Sequence, residues 1–464
     1  MNPSFLKSPS KITVGRIGAS NFCFFPRGRS LDVSFEHPTS SVIRSYRPRN
    51  ASMLTLARWI VFAVVICGVL SDTVGSSSSD ARRLKKKLSI ANNNFAMNLM
   101  RLLPKDKNIV ISPFCLSSAL GMLYAGAGPS TARKMASALQ YVSTNLQEED
   151  VSKGFEYLIE EIKQPDPGFT MVGGEAVFFE ANDVRPEFRS AIESRFKGHA
   201  ESVNFTAEPT EAKDAINIWV RNSTKGLVSS FLRRPIVQNN TKLVSLSVVY
   251  FRGFWDQAFN PNDTYEGEFL NGGTQLKKIS MMRGQIERAG FAKLARLNST
   301  LLDLAYGDNI SMVLILPDNP TNFSYVESQI SPVDIQMAKR GLTPTSVDVH
   351  LPKFEIEASY NLQDALLKSG MVEAFSELDS DFSNISETDG HQLSISKVLH
   401  KVKFRIEEDG LSVTSLGGIA KDMLYKSQDD IPDQKVFRAE HPFLFYVFHN
   451  PTNVILFSGR MVKF

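Results

Sequence analysis

The chain has 464 residues, a formal net charge of +3 at pH 7, and hydrophobic and aromatic contents of 42% and 10%. The hydrophobic content supports a large packed core and excludes a chain that is disordered throughout. The small net charge gives no reason to expect a nucleic-acid partner.

The N-terminal region is predicted to be a targeting segment rather than part of a domain. Residues 1–52 are basic and rich in serine, and we interpret them as an upstream extension, either a seldom-used start or a transit-like segment. Residues 53–76 have the layout of a secretory signal peptide: a basic start, an apolar centre and small residues at the exit. The apolar centre, residues 59–70, is shorter than the roughly 20 residues that a membrane-spanning helix needs, so a membrane anchor is the weaker alternative.

A short basic segment is predicted to follow the signal peptide. Residues 77–88 are expected to form a flexible N-terminus, and residues 89–464 a single domain. The basic residues of the segment are Arg82, Arg83, Lys85, Lys86 and Lys87. Two interpretations stay open: a solvated chain end, or a patch that binds an anionic polysaccharide or a membrane surface.

Cysteine usage and glycosylation sequons bear on the cellular compartment. Cys23 and Cys67 lie in the predicted removable segments, which leaves Cys115 alone and excludes an internal disulfide in the mature chain. Eight Asn-x-Ser/Thr sequons favour a glycosylated, secreted and extracellular product. They are Asn204, Asn222, Asn239, Asn262, Asn298, Asn309, Asn322 and Asn384.

Hydrophobic periodicity predicts helices mainly in the first half of the domain and strands mainly in the second. The first helix is predicted from about Ser89 to Leu103, before Pro104. The other predicted helices are 117–124, 151–162, 185–196, 209–220 and 362–369. The predicted strands are 176–179, 243–251, 312–316, 347–351, 398–406, 443–449 and 454–463. Without regular alternation, this order predicts an α+β domain rather than a doubly wound nucleotide-binding fold.

A long segment near the C-terminus has no amphipathic period. The strand 398–406 alternates strictly, with Val398, His400 and Phe404 on its apolar face. An acidic turn follows and leads into residues 411–436, which precede the last strands. A long loop without structure is uncommon in a compact domain and is usually functional or disordered. We interpret this loop as a segment held out for a partner between two strands.

The sequence carries no recognisable enzyme motif. The nucleophile-elbow, zinc-protease and phosphate-loop patterns do not occur, and the seven histidines are scattered. No cofactor or metal ligand set is indicated, and we predict that the chain is not an enzyme. His400 lies on an apolar strand face, where a hydrogen-bonded core histidine is the expected role.

Six segments between residues 88 and 464 resemble the serpin family, in the family's order. They are Asn-Ile-Val-Ile-Ser-Pro at 108–113, Ile-Asn-Ile-Trp-Val at 216–220, Tyr-Phe-Arg-Gly-Phe-Trp at 250–255, Leu-Pro-Lys-Phe at 351–354, Ser-Lys-Val-Leu-His-Lys at 396–401 and Phe-Arg-Ala-Glu-His-Pro-Phe at 437–443. The resemblance implies a serpin fold, with helices around a large central sheet, smaller sheets and an exposed reactive-centre loop.

The family's mechanism, taken from the resemblance, is suicide inhibition of a serine or cysteine protease. The protease cleaves the loop, which then inserts as an extra strand into the large sheet and releases stored strain. The implied function is a monomeric, extracellular serine-type endopeptidase inhibitor. The alternative is a non-inhibitory serpin that acts as a carrier or binding protein.

The resemblance also assigns roles to single residues. It places Ser112, Cys115, Asn217, Ser247 and His400 in the polar "shutter" beneath the sheet, and Trp255, Lys353 and Glu408 in the "breach" where the loop enters. Two shutter positions depart from the family, because Cys115 replaces a usual serine and Ser247 a usual asparagine. A thiol is a weak hydrogen-bond donor, so we expect a looser network.

The hinge of the loop departs from the family more strongly. Inhibitory members follow the hinge glycine with Thr or Ser and then alanines, whereas here the hinge is Gly410, Leu411, Ser412, Val413, Thr414 and Ser415. Gly410 lacks a Cβ and is expected to act as the pivot. If alternate residues point inward, Leu411 and Val413 are bulky, and overpacking costs about 1–3 kcal/mol.

The scissile bond is predicted between residues 421 and 426. Counting from Gly410 by the family's spacing places Leu424 before the cleaved bond and Tyr425 after it. Counting back from Phe437 moves the bond towards Gln428, which keeps the tryptic alternative Lys426 open.

Overall fold

The computed structural model describes residues 53–228, 231–232, 240–410 and 435–464, and side chains from residue 78 onward. The helices in this part of the chain are α1 (Met53–Leu102), α2 (Pro113–Gly126), α3 (Pro129–Ala138), α4 (Glu148–Ile162), α5 (Pro186–Ser194), α6 (Pro209–Ser223), α7 (Phe323–Gln329), α8 (Pro332–Arg340) and α9 (Gln363–Lys368).

The strands among the described residues form two sheets. They are β1 (Ile109–Ile111), β2 (Phe169–Phe179), β3 (His199–Ser202), β4 (Leu243–Gly253), β5 (Tyr265–Asn271), β6 (Gln275–Leu294), β7 (Ser299–Tyr306), β8 (Ile310–Pro317), β9 (Pro344–Pro352), β10 (Phe354–Asn361), β11 (Ile395–Ile406), β12 (Lys435–Arg438), β13 (Phe443–His449) and β14 (Val454–Met461). The nine-stranded sheet has the order β1-β14-β13-β8-β7-β6-β9-β12, with β5 paired to β6, and the five-stranded sheet has the order β10-β11-β4-β2-β3. The predicted α+β class is confirmed.

The five-stranded sheet is covered on both faces. Val249 of β4 and Phe404 of β11 belong to the main core, into which α2 also packs. Val248 and Leu399 point the other way and form a second apolar cluster with Ile216 of α6. Burial on both faces explains why β4 reads as an almost continuous apolar run rather than an alternating one.

The N-terminal helix starts earlier than the sequence predicted. α1 already includes residues 78–88, and the side chains of Leu84 and Leu88 are buried. Lys85 also forms an ion pair with Glu161 of α4. The segment predicted to be a flexible N-terminus is therefore helical and packed, because its leucines recur at the i, i+4 spacing that continues the apolar face of α1. Among the described residues, no helix is both long and apolar enough to cross a membrane.

Candidate functional site

The centre of the five-stranded sheet is the contact between β4 and β11, which we call the seam. The two strands are parallel and pair from Leu243 opposite Ile395 to Arg252 opposite Arg405. Their outer neighbours β2 and β10 are antiparallel to them. A strand that entered between β4 and β11 from the end of β11 would run antiparallel to both. In this structure the seam is closed.

A buried hydrogen-bond network crosses the seam at His400. The backbone N–H of Ser112 donates to His400 Nε2 at 3.0 Å. Since Nε2 is the acceptor, the proton lies on Nδ1, which donates to Ser247 Oγ at 3.0 Å. His400 and Ser247 are directly opposite each other in the register. This side-chain bond therefore joins β4 to β11 in addition to their backbone hydrogen bonds.

Ser112 connects the network to the helix beneath the sheet. Its hydroxyl donates to the carbonyl of Leu456 at 2.7 Å and accepts from the backbone N–H of Cys115 at 3.3 Å. It is the N-cap of α2, where serine is a preferred residue because its side chain satisfies a free helix N–H. The His400 network thus ties the seam to the start of α2.

The charge state of His400 is set by its burial. The residue is fully buried, and desolvation lowers its pKa from 6.5 to about 3, although a hydrogen bond with the backbone of Ser247 acts in the opposite direction. The imidazole is therefore neutral at physiological pH. The predicted role of His400 as a hydrogen-bonded core histidine agrees with this geometry.

Glu175 is a member of this cluster that the sequence analysis did not identify. It lies on β2 opposite Ser247, on the same face as Val177, which packs into the main core with α2. Desolvation raises the pKa of its carboxyl group to about 7, against the lowering effects of Cys115 and Lys163. Burial, followed by the charge of Glu175, raises the pKa of the Cys115 thiol well above its ordinary value. The signal available in the sequence was a single acid directly before the apolar run Ala176–Phe179.

Asn217 does not join the His400 network. It lies on α6, where its Oδ1 accepts from the backbone N–H groups of Phe231 and Leu232 at 3.3 and 3.0 Å. Its Nδ2 donates to the carbonyl of Leu232 at 3.3 Å. Asn217 therefore holds the chain that follows α6, on the opposite face of the sheet from His400.

The predicted breach residues come together at the end of the seam. Lys353 Nζ donates to Glu408 at 2.7 Å, and Thr264 Oγ1 donates to the other oxygen of this carboxylate at 2.9 Å. Desolvation of Glu408 is outweighed by these hydrogen bonds, so its pKa is lowered. The carboxylate is ionised at neutral pH and fixes the chain that leaves β11.

Trp255 binds the same chain through its backbone and its ring. Its indole Nε1 donates to the carbonyl of Glu407 at 2.7 Å, and its backbone N–H donates to the carbonyl of Asp409 at 3.0 Å. Gly410 forms a parallel bridge with Trp255. The chain from Glu407 to Gly410 thus continues in the direction of β11 and has not turned back into the seam.

The predicted reactive-centre loop follows Gly410, the last described residue before it. The hinge residues Leu411, Ser412, Val413, Thr414 and Ser415 and the scissile candidates Leu424, Tyr425 and Lys426 lie outside the described residues. Both flanks are described. Gly410 is bound at the breach, and Lys435–Arg438 pairs in parallel with β9 of the nine-stranded sheet.

The basic N-terminal segment is partly neutralised by its neighbours. Arg83 lies 3.6 Å from Asp150 of α4, Lys85 pairs with Glu161 of α4, and Lys87 donates to the carbonyl of Asn145 at 2.9 Å. Arg82 and Lys86 are exposed. The predicted anion-binding patch is therefore reduced by its contacts with an acidic helix. Among the described side chains, no group of three or more His, Cys, Asp or Glu residues could hold a metal ion.

The sequons differ in how well the folded chain exposes them. Asn204, Asn222, Asn262, Asn298 and Asn384 are exposed, whereas Asn309 and Asn322 are half-buried. Asn384 donates its Nδ2 to the carbonyl of Ala127 at 2.9 Å, and Nδ2 is the atom that a glycan would occupy. Asn239 lies outside the described residues.

Known proteins resemble this chain over most of its length. A sequence model described as Serpin (serine protease inhibitor) matches residues 90–464. Serpin B6 of Pongo abelii is 32% identical over 381 residues, which cover 80% of this chain and 98% of that protein. Leukocyte elastase inhibitor of Bos taurus is 32% identical over 391 residues, which cover 81% and 99%.

Solved structures of serpins are also similar to this chain over most of its length. Human thyroxine-binding globulin complexed with thyroxine has a TM-score of 0.72 and 28% identity, covering 82% of this chain and 99% of that one. Native protease nexin-1 with heparin has a TM-score of 0.70 and 27% identity, covering 82% and 99%. Because the family match and the relatives above 30% identity each span most of the chain, this protein belongs to the serpin family.

Proposed function

We propose that this serpin inhibits a serine-type endopeptidase by loop cleavage followed by insertion of the loop into the five-stranded sheet. The observation that carries the proposal is the closed parallel seam between β4 and β11, with the start of the loop bound at its end. The serpins similar to this chain include a protein named leukocyte elastase inhibitor.

The topology supplies a driving force for insertion. A strand between β4 and β11 would replace one parallel ladder by two antiparallel ladders, which are slightly more stable per residue. The inserted strand would also gain hydrogen bonds on both of its edges. The closed sheet is then a metastable state that persists because separating the seam is slow.

The first test is trapping and cleavage by a panel of proteases. Incubation with chymotrypsin-like, elastase-like and trypsin-like enzymes should give, with one class, a denaturation-resistant complex on a gel. Intact-mass analysis after brief exposure should place the cut between residues 421 and 426, or directly after Lys426 for the tryptic alternative. A chymotrypsin-like or elastase-like pocket would select Leu424, and a trypsin-like pocket would select Lys426.

The outcomes separate the alternatives for the loop. A first cut outside residues 421–428 would contradict the assignment of the scissile bond. Cleavage at Leu424 without any trapped enzyme would show that the loop is a substrate rather than an inhibitor.

A second candidate function is a non-inhibitory carrier or binding protein. It is favoured by the bulky hinge residues Leu411 and Val413, and by the likeness to a thyroxine-binding globulin structure. The discriminating measurement is the change in thermal midpoint when the loop is cut. A loop that inserts raises the midpoint, and a loop that only detaches leaves it unchanged.

We also propose that the protein is secreted and glycosylated. The proposal is supported by the signal-like residues 53–76 and by the exposure of Asn204, Asn222, Asn262 and Asn298. Expression in cultured animal cells should deliver the protein to the medium, with glycans at these four sites. Peptide mapping should find Asn384 unmodified, because its Nδ2 is used inside the fold. Retention in the cells without glycans would contradict the proposal.

We also propose that the basic N-terminal segment binds an anionic polysaccharide. Heparin is present in the protease nexin-1 structure. In this chain, however, Arg83 and Lys85 already pair with acids of α4. Arg82 and Lys86 are exposed, and Lys87 keeps its charge because it binds a neutral carbonyl. These three residues would be left for such a partner, and we expect binding to be weak and salt-dependent.

A further inference from the structure

Gly410 is in unusually close contact with the segment that follows β4. A Cβ added to Gly410 would lie 2.5 Å from Ala258 Cβ, 3.0 Å from the carbonyl oxygen of Trp255 and 3.1 Å from Ala258 Cα. The best separation of two nonbonded carbon atoms is about 3.5–4.0 Å. Position 410 therefore has no room for a side chain while the hinge is bound at the breach.

The backbone at position 410 gives no separate reason for glycine. Gly410 is not among the described glycines with positive φ, which are Gly226, Gly272, Gly273, Gly307 and Gly370. A positive φ is therefore not the reason for glycine at this position. Gly410 was predicted to be a pivot because it lacks a Cβ, and the structure adds a second reason, the lack of space beside Ala258.

Hydrogen bonds hold the segment after β4 and the chain that leaves β11 close together on both sides of this contact. The backbone N–H of Trp255 donates to the carbonyl of Asp409, and that of Phe259 donates to the carbonyl of Glu408 at 3.1 Å. Arg252, which lies at the end of β4, forms an ion pair with Asp409. Ala258 lies between the two donors, and its methyl group makes the shortest of the three contacts that limit position 410.

We propose that Ala258 is a positioning residue for the hinge, which restricts position 410 to glycine and fixes the point from which the loop starts to insert. This inference rests on the proposed inhibitory function, because only an inserting loop needs a fixed starting point. Ala258 is itself exposed and lies outside the helices and strands. Its replacement by glycine should therefore leave the fold intact.

A double-mutant cycle tests the contact directly. The four proteins are the parent, Gly410→Ala, Ala258→Gly and the double variant, each exposed to a protease that the parent traps. We expect Gly410→Ala to lower the ratio of trapped to cleaved protein strongly, and Ala258→Gly, which loosens the starting point of the loop, to lower it less. In the double variant, the ratio of trapped to cleaved protein should be about threefold higher than in Gly410→Ala. A difference of this size lies within the range of coupling energies between residues in contact.

The matched control adds backbone freedom without removing the contact. Gln257→Gly lies in the same segment and should not restore the Gly410→Ala protein. If Gln257→Gly restores trapping equally well, backbone freedom is the reason for Gly410. If Ala258→Gly restores no trapping to the Gly410→Ala protein, the methyl group of Ala258 does not limit position 410. Either result shows that our inference is wrong.

A second readout separates this inference from the proposed function. The thermal midpoints of the four uncut proteins should show the same pattern, with Gly410→Ala lowered and the double variant restored. If the parent traps no protease but the effects of the two substitutions on the thermal midpoint are not additive, the proposed function is wrong and the contact between positions 258 and 410 is supported. If the parent traps a protease but the two substitutions act additively on both the trapping ratio and the thermal midpoint, the proposed function is supported and the role of Ala258 is refuted.

Discussion

The double variant Leu411→Thr, Val413→Ala is expected to trap a cognate protease in a larger fraction of encounters than the parent chain. If alternate hinge residues enter the sheet, these two side chains are the first to do so, and relief of overpacking is worth about 1–3 kcal/mol. At about 1.4 kcal/mol per tenfold in rate, insertion would accelerate by about 5- to 150-fold relative to hydrolysis of the acyl-enzyme. The ratio of trapped complex to cleaved protein on a gel measures this change.

The control for the hinge experiment uses the neighbouring positions that would point outward. Ser412→Ala, Thr414→Ala should leave the ratio unchanged. Cutting the loop should raise the thermal midpoint of the Leu411→Thr, Val413→Ala variant more than that of the parent. If the parent already traps a protease near one-to-one, the steric argument is wrong. If no form traps a protease or gains stability when cut, the binding-protein function replaces inhibition.

Replacement of His400 by alanine is expected to lower the thermal midpoint and to promote loop–sheet polymers. The change would leave the buried N–H of Ser112 and the hydroxyl of Ser247 without their partner. Each unsatisfied buried group costs about 1–3 kcal/mol. The seam would also lose the side-chain bond that joins its two strands. Calorimetry and size-exclusion chromatography after mild heating measure both effects.

The exposed histidine His391 provides the control for this variant. Its side chain is 70% exposed and forms an ion pair with Asp381 at 3.5 Å, so His391→Ala should change little. An unchanged midpoint and a monomeric His400→Ala protein after heating would show that His400 does not hold the seam.

His400 also makes a pH dependence measurable. The folded protein lowers its pKa from 6.5 to about 3, so the unfolded chain binds this proton more readily. The contribution of neutral His400 is present above pH 6.5 and is lost as the pH falls from about 6.5 towards 3, by up to about 1.4 kcal/mol per pH unit. His400→Gln should therefore show a shallower fall in thermal midpoint than the parent between pH 6.5 and 4.

The elements that were predicted well have an apolar pattern within their own residues. The apolar face of β11 was read from strict alternation, and Phe443–His449 was predicted with its exact bounds. The strand Gln275–Leu294 was missed, although it is the longest among the described residues. It is largely exposed, with lysines and arginines and no regular alternation, so its pairing with β5, β7 and β9 decides its conformation.

The candidate site was predictable only through the family resemblance. Ser112, Ser247 and His400 are far apart in the chain. The register of β4 with β11 brings Ser247 and His400 together, and the start of α2 places Ser112 beside them. Periodicity within one segment cannot reveal that register. Asn217 was grouped with them, but its side chain reaches the chain after α6 instead. Glu175 was missed because a single acid at the start of an apolar run does not show what lies opposite.

The distant origin of the two seam strands has a consequence for how the protein folds. Ser247 and His400 are 153 positions apart, whereas the residues after Gly410 adjoin β11 directly. Contacts between distant segments form more slowly than contacts between adjacent ones, because closing a long loop costs more entropy. We therefore expect the pairing of β4 with β11 to be a slow step when the unfolded chain refolds.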